Sequence, residues 1–396
     1  MLGWELPPNN SGGLGVACLQ LSKALAEAGA DIDFILPYHH APRYNFMRVT
    51  SALAPGTQPT TAMQAYDSYR YELGDGSIFE LSGDDQPASY ARLVSRLVDT
   101  MEFDIIHAHD WLTFRAALAA RQKKAVPLVL HVHSIERDRA GGQAGNPWVR
   151  EIESTAMLMA DRVIAISERT KQMIIDDYHI PSDKIEVVHN SLDISALEPL
   201  DEQNAYRYLQ DLKQDGWQVV ANVGRLTIQK GIPHLVEAAS EVIKRLPKTV
   251  FLFVGDGEQR DELVELVADR KIARHVLLAG FQRGKKWRDA YAIADLFVMP
   301  SVSEPFGLTP FEAAAYGTPA LVSKQSGISE IFTNCLKVDF WDINEMSNKI
   351  VGLLRSRALQ AELAGNAALE LRQQSWNGAA ERIMDSYRDL VEKAPA

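Results

Sequence analysis

Cysteine is scarce in this chain. It has two, Cys18 and Cys335, among 396 residues, too few and too far apart for a disulfide framework or a zinc site of recognised spacing. Cys18 falls on the apolar side of a predicted helix, where packing is its expected task. No apolar run approaches the ~18–20 residues of a membrane-spanning helix, and no signal-peptide pattern opens the sequence. A cytoplasmic location is the default expectation. Low-complexity tracts and fixed-period repeats are missing, which leaves no case for a disordered tail or a solenoid. Positive charge is in deficit: 41 Lys and Arg face 52 Asp and Glu, a net −11. Residues 1–195 carry 17 against 25 and residues 196–396 carry 24 against 27. Both halves are acidic, which argues against nucleic acid or an anionic membrane as the main partner. The basic run Arg121-Gln122-Lys123-Lys124 reads as a solvated helix end.

At 46% hydrophobic and 23% charged residues, this is the composition of an ordinary globular protein. Its length calls for two domains of ~150–200 residues. Short β-branched apolar runs alternate with amphipathic stretches throughout, the pattern of parallel α/β domains. Strands are expected at Leu2–Leu6, Ile32–Pro37, Ile78–Leu81, Asp104–Ala108, Leu128–His133, Val163–Ile166 and Glu186–His189. The second half adds Val219–Val223, Val250–Val254, Val276–Ala279, Leu296–Pro300, Ala320–Ser323 and Lys337–Val338. The polar segment Asp193–Gly216 separates an expected domain 1–195 from a domain 196–375. A terminal helix within 376–396 is expected to pack back on the first domain. The first strand is short for a central one, which suggests residues upstream of Met1.

Ser301–Gly317 (SVSEPFGLTPFEAAAYG) is the most informative stretch. Pro305 keeps Glu304 out of a helix, while Thr309 and Pro310 read as the N-cap and first residue of one. Glu312 lies one turn in. The plain alternative is a capping box in which Glu312 bonds back to Thr309. Glu304 has no such folding task. Earlier, Asn222–Gly231 places Arg225 and Lys230 on one strand-to-helix loop beside Gly224. A guanidinium fork and an ammonium beside a glycine turn suit a diphosphate; solvated loop cations are the alternative. Gly12-Gly13-Leu14-Gly15 opens the first helix but does not match the dinucleotide fingerprint, so NAD is not expected. Gly255-Asp256-Gly257 is a weak signal alone.

In open parallel sheets ligands bind beyond the carboxyl ends of strands. The polar residues His109, Asp110, Trp111, His133, Asn190, Arg225 and Glu304 all lie at the carboxyl ends of expected strands, which implies a ligand held between two facing polar rims. His131 and His133 point to one side of their strand. A metal is not expected there, because no cysteine or carboxylate lies nearby at ligand spacing in the sequence. Asp31-Ile32-Asp33 opens a strand at the wrong end for a metal site.

The motifs SGGLGVACLQLSKALAEAG, HAHDW, LHVHS, ADRVIAISERTK, KIEVVHNSLD, NVGRLTIQKGI, FLFVGDGE and SEPFGLTPFEAAAYGTPAL together resemble the retaining nucleotide-sugar glycosyltransferases of the GT-B fold, glycosyltransferase family 4. The resemblance covers essentially the whole length. It implies two Rossmann-like domains across a cleft, a nucleotide-diphospho sugar donor and no metal or other cofactor. By that likeness Glu304 lies near the donor sugar, Glu312 holds the ribose hydroxyls, and the backbone of Phe306, Gly307, Leu308 and Thr309 lines sugar and phosphate. Arg225 and Lys230, with Gly224 and Gly255 beside them, hold the diphosphate. Gly13, Leu14 and Gly15 approach it from the other domain. His133 sits near the transferred sugar, and Asp110 with Trp111 forms the acceptor side. Asn10-Ser11-Gly12-Gly13 replaces the K-x-G-G-L of bacterial glycogen and starch synthases, which weighs against ADP-glucose. The implied reaction is transfer of a sugar, glucosyl by preference, to a hydroxyl of a soluble sugar or glucan acceptor. Two rivals are disaccharide phosphorolysis on the same fold and a catalytically silent nucleotide-sugar-binding subunit.

Overall fold

The computed structural model describes residues 1–10, 12–53, 58–59, 69–72, 78–81 and 85–393; Ser11 of the expected glycine loop and residues 394–396 lie outside these. The chain forms two compact units: Met1–Glu136, Gly145–Ser191 and Ser375–Ala396 in the first, Arg137–Ala144 and Leu192–Gln374 in the second.

The first unit is built on a parallel sheet. Its strands are β1 (Asp33–Leu36), β2 (Arg48–Ser51), β6 (Ile106–His109), β7 (Leu128–Val132), β8 (Arg162–Ala165) and β9 (Ile185–Val187), with a small antiparallel sheet of β3 (Gln58–Pro59), β4 (Tyr69–Glu72) and β5 (Ile78–Leu81) inserted after β2. The expected strand Leu2–Leu6 shrinks to one residue. Leu2 bridges Ile35 on one side and Ala108 on the other, joining β1 to β6. Its N–H donates to His107 and its carbonyl accepts from His109. The chain then bends at Trp4 and turns through Pro7-Pro8, where Asn9 N–H bonds to Leu6, so no longer strand can form. Counted in chain order, the sheet runs 3-2-1-4 from β2 to β6, the doubly wound order. One face is covered by the helix Gly13–Glu27 and the terminal helix Trp376–Lys393, which meet in a core of Cys18, Leu21, Leu25, Phe34, Trp376 and Ile383. The other face packs on Trp111–Lys123 and Pro147–Met159.

The second unit carries a six-stranded parallel sheet ordered β12-β11-β10-β13-β14-β15. These are β10 (Gln218–Val223), β11 (Thr249–Val254), β12 (Val276–Gly280), β13 (Leu296–Met299), β14 (Ala320–Ser323) and β15 (Leu336–Val338). All six residues of β11, TVFLFV, are buried, as a strand covered on both faces must be. The order is again 3-2-1-4-5-6, and its switch point lies between β10 and β13. A helix the apolar pattern does not reveal, Arg207–Gln214, occupies the expected linker; Leu209 is its one buried residue.

Candidate active site

The two loops that leave the switch point of the second unit hold the strongest polar cluster. After β10 the chain passes Gly224 and an exposed Arg225, anchors Leu226 in the core, and makes a short turn Ile228–Lys230 before the helix Ile232–Arg245. Gly255 permits this path: a Cβ there would meet the Gly224 carbonyl at 1.8 Å, and its φ is +151°. After β13, Val302 N–H donates to the Gln229 carbonyl at 2.9 Å, tying the two loops together. Lys230 Nζ then reaches Glu304 Oε2 at 2.5 Å, with Ser301 Oγ donating to the same oxygen at 3.0 Å. The Glu304 side chain is 8% exposed and that of Lys230 20%, so the pair is largely withdrawn from water and its Coulomb attraction weakly screened. Glu304 is held through its backbone as well, its N–H on Gln325 and its carbonyl on Gly327.

Gly307 keeps φ +94° where a Cβ would press within 3.0 Å of Met299 and Glu304. The helix that follows, Thr309–Ala315, starts one residue earlier than the sequence suggests. Leu308 is the N-cap, without a side-chain bond, and Pro310 is the second helical residue. The capping box does not form: Thr309 Oγ1 faces Met299 Sδ at 3.6 Å, and Glu312 Oε2 accepts from Tyr291 Oη at 2.5 Å. Burial pushes the Glu312 carboxyl up to about 7, opposed by the Tyr291 bond and by Lys230. Tyr291 stacks on Tyr316 and meets Trp287 edge-on. Neither Tyr291 nor Ser301 stands out in the sequence. The signal for each is spatial, a hydroxyl brought to a carboxylate by neighbouring elements. Asp138, fully buried, accepts from Ser303 Oγ at 2.6 Å, so the segment 137–144 braces the loop that carries Glu304.

In the first unit the glycine turn opens the helix Gly13–Glu27 as expected, with Gly12 as N-cap and Leu14 half-buried. Gly15 N–H, however, already donates to the buried carboxylate of Glu5 at 3.1 Å. Asp110 holds φ +60° at the end of β6, an uncommon conformation outside glycine. Its Oδ1 accepts from the backbone N–H of His133 at 2.6 Å and of Ser134 at 3.1 Å, so Asp110 fixes the turn bearing His133. Trp111 is buried edge-on against Trp148. Asp110 and Trp111 thus sit inside the fold rather than on an open rim.

His133 belongs to a buried stack. The register pairs His109 with His131. His131 and His133 lie ring on ring at 4.3 Å, His109 Nδ1 meets His133 Nε2 at 3.0 Å, and His107 Nε2 meets His131 Nδ1 at 3.2 Å. Burial depresses all four, His133 to about 3, and each is a neutral imidazole at physiological pH. The expectation that no cysteine lies near these histidines is corrected by the fold. Cys18 Sγ and one ring nitrogen each of His109 and His133 fall within 4.8 Å of one another. The basic run is also not simply solvated: Arg121, Lys123 and Lys124 pair with Asp161, Asp99 and Glu102.

Two family models match the chain, "Glycosyltransferase Family 4" over residues 11–196 and "Glycosyl transferases group 1" over residues 210–369. The chain belongs to the GT-B glycosyltransferases of family 4. An uncharacterized glycosyltransferase of Methanocaldococcus jannaschii is 26% identical, with 99% of this chain and 98% of that protein covered. A D-inositol 3-phosphate glycosyltransferase of Acidothermus cellulolyticus is 29% identical, covering 98% and 88%. Among solved structures, an Anabaena protein in complex with UDP and glucose superposes with a TM-score of 0.72 at 20% identity, over 98% of each chain. In this chain the doubly wound order places polar loops at the carboxyl ends of the strands. Among the described residues no helix is long and apolar enough to cross a membrane.

Proposed function

We propose that this glycosyltransferase moves a glucosyl group from a nucleotide-diphospho sugar to a hydroxyl of a soluble sugar or glucan, with retention at the anomeric carbon. The observation that carries the reading is the Lys230–Glu304 pair at the switch point of the second sheet, with the exposed Arg225 on the same loop. The sugar-bearing phosphate gains negative charge as the glycosidic bond to it breaks. A fixed ammonium, a guanidinium and loop N–H groups stabilise that charge without a metal ion in the step. Lys230 is held in advance by Glu304, so it is oriented before substrate arrives. Glu304 then has a free oxygen to accept from a sugar hydroxyl. Glu312, held by Tyr291, is the acceptor for the ribose hydroxyls; their bonds favour its ionised form.

Retention follows if the acceptor attacks from the side the leaving group departs, with the departing phosphate taking the acceptor's proton. His133 is neutral and donates or accepts a hydrogen bond to the sugar without contributing charge. UDP is the first nucleotide to test, since the similar Anabaena protein was solved with it.

The test is a thermal-shift screen of UDP, ADP and GDP, followed by proton NMR of the product formed from the stabilising nucleotide's glucose ester. Stabilisation by one diphosphate and an α-linked product from an α-linked donor are expected. A β-linked product would overturn retention. Nucleotide binding without turnover on any acceptor would favour the silent-subunit reading, and phosphate-dependent cleavage of a disaccharide the phosphorylase reading.

A further inference from the structure

Three neighbours in the loop after β13 are each tied to a different partner. Val302 N–H donates to the Gln229 carbonyl at 2.9 Å, Ser303 Oγ donates to Asp138 Oδ1 at 2.6 Å, and Glu304 Oε2 accepts from Lys230 Nζ at 2.5 Å. Asp138 is 0% exposed and Ser303 1%, so their bond is made in a dry place, where burying a carboxyl group is costly. Asp138 stands in the segment Arg137–Ala144, which folds with the second unit. That segment is a tight turn: Gly141 N–H donates to the Asp138 carbonyl at 3.1 Å and Gly142 N–H to the Arg137 carbonyl at 2.8 Å. Gly141 is held at φ +61°, and a Cβ there would come within 3.2 Å of Ile228, which shares the short turn Ile228–Lys230 with the cation. The segment therefore lies against both loops of the charged pair, the acid's at Ser303 and the cation's at Ile228. In the transfer step read above, Asp138 meets neither sugar nor phosphate.

We propose that Asp138 is a positioning residue for the transfer: through the Ser303 hydroxyl it sets the Glu304 carboxylate, and through Glu304 the Lys230 ammonium. This role rests on the transfer reading and adds to it a residue that acts on the site without touching substrate. Ser303 is joined by one peptide bond to the residue that holds Lys230, so a loop free to shift at Ser303 is free to shift at Glu304. The ammonium is useful only where charge develops on the departing phosphate, and a misplacement of ~1 Å can cost up to ~10²-fold in rate. That charge is larger in the transition state than in the bound donor, so the loss falls on kcat more than on KM. Gly141 serves the same end, since a left-handed residue without a side chain lets the turn lie close on Ile228.

The test is steady-state kinetics of full-length Asp138→Ala, Ser303→Ala and Asp138→Asn, followed as release of nucleoside diphosphate from UDP-glucose or from the glucose ester of whichever diphosphate stabilises the protein. Asp138→Ala and Ser303→Ala are each expected to lower kcat by roughly 10–100-fold while the donor KM changes less than about threefold. Asp138→Asn, which keeps an oxygen to accept from Ser303, should recover most of the loss. In a Glu304→Gln background Asp138→Ala should have no further effect on kcat, a result that loss of packing alone would not give. A second readout needs no turnover. Melting temperatures of Asp138→Ala, Lys230→Ala and the double variant should show a combined loss smaller than the sum of the single losses, since both substitutions loosen Glu304. Additive melting losses, a kcat loss undiminished in the Glu304→Gln background, or unchanged kcat in both Asp138→Ala and Ser303→Ala overturns the role. A wild type without turnover on any donor would remove the transfer reading, and the melting cycle then decides for Asp138 alone. If Asp138→Ala does not fold, Ser303→Ala takes its place in both cycles.

Discussion

The two units end their sheets in opposite chemistry. In β6 and β7 of the first, and just past the end of β7, stand four imidazoles, all neutral because burial depresses them. Beyond β10 and β13 of the second stand an ammonium, a guanidinium and two carboxylates, with Lys230 and Glu304 paired at 2.5 Å. Both sheets are wound in the same order, so topology is not the cause. The difference lies in what each unit keeps ready. The second holds formal charge in a dry place, which is costly to build and useful when charge develops on a leaving phosphate. The first hides polar groups that carry no charge, which suits hydrogen bonding to a neutral sugar.

The sharpest way to break this comparison is to remove each cation in turn. Lys230→Ala is expected to lower turnover by roughly 10²–10³ and to destabilise the protein by about 3 kcal/mol, because buried Glu304 loses its partner. Arg225→Ala is expected to cause a similar loss of turnover with stability changed by less than ~0.5 kcal/mol, since Arg225 is exposed and an exposed side chain outside the core contributes little to stability. Steady-state kinetics with the donor and urea unfolding of both variants check this. Near-normal turnover in either would remove that side chain from the phosphate role. Equal stability loss in both would mean Lys230 is not the pre-held one.

The pH dependence of stability sharpens the contrast from a second direction. His133 falls from an ordinary 6.5 to about 3 in the fold. The unfolded chain therefore binds the extra proton between those values, and stability is lost as pH drops below 6.5. From His133 alone the loss is about 2 kcal/mol by pH 5. Glu312 runs the other way. Its carboxyl is raised from 4.5 to about 7, so the folded state binds the extra proton, and its contribution is lost as pH rises from 4.5 through 7. Calorimetry from pH 4.5 to 8 should show Glu312→Gln flattening the decline toward neutral pH and leaving the acid limb intact. Nucleotide diphosphate binding should release a proton from Glu312 near pH 7 in the wild type but not in Glu312→Gln, measurable as buffer-dependent binding enthalpy. A variant that alters the acid limb instead would reverse the assignment.

Much of the fold is legible in the sequence because parallel strands buried on both faces are largely apolar runs, as β13 (LFVM) is throughout, β11 (TVFLFV) after its first residue and β10 (QVVANV) but for Gln218 and Asn222. Helix Arg207–Gln214 is hidden because a single leucine anchors it. Leu2–Leu6 looks like a strand by composition, yet pairing is a property of the whole path, and the bend at Trp4 and turn at Pro7-Pro8 take the chain out of the sheet after one bridge. Glu304 and Lys230 were readable as a poised acid and a loop cation, but their contact, 74 residues apart, depends on β10 and β13 being neighbours. The same holds for Cys18, which spacing alone separates from any ligand set and which the packing of the first helix brings to His109 and His133.

The smallest effect tests the one place where a local motif and the fold disagree. T-x-x-E at Thr309–Glu312 reads as a reciprocal cap, for which Thr309→Ala would cost ~1 kcal/mol. In the structure the cap position belongs to Leu308, the Thr309 hydroxyl faces a sulfur at 3.6 Å, and Glu312 is turned to Tyr291. Thr309→Ala should therefore change stability by less than ~0.5 kcal/mol. The double-mutant cycle with Glu312→Gln should show no coupling, whereas the cycle of Tyr291→Phe with Glu312→Gln should. Coupling in the first pair and none in the second would return Glu312 to folding duty, because a carboxylate bonded back to its own helix start is turned away from Tyr291 and from the ribose proposed to lie there.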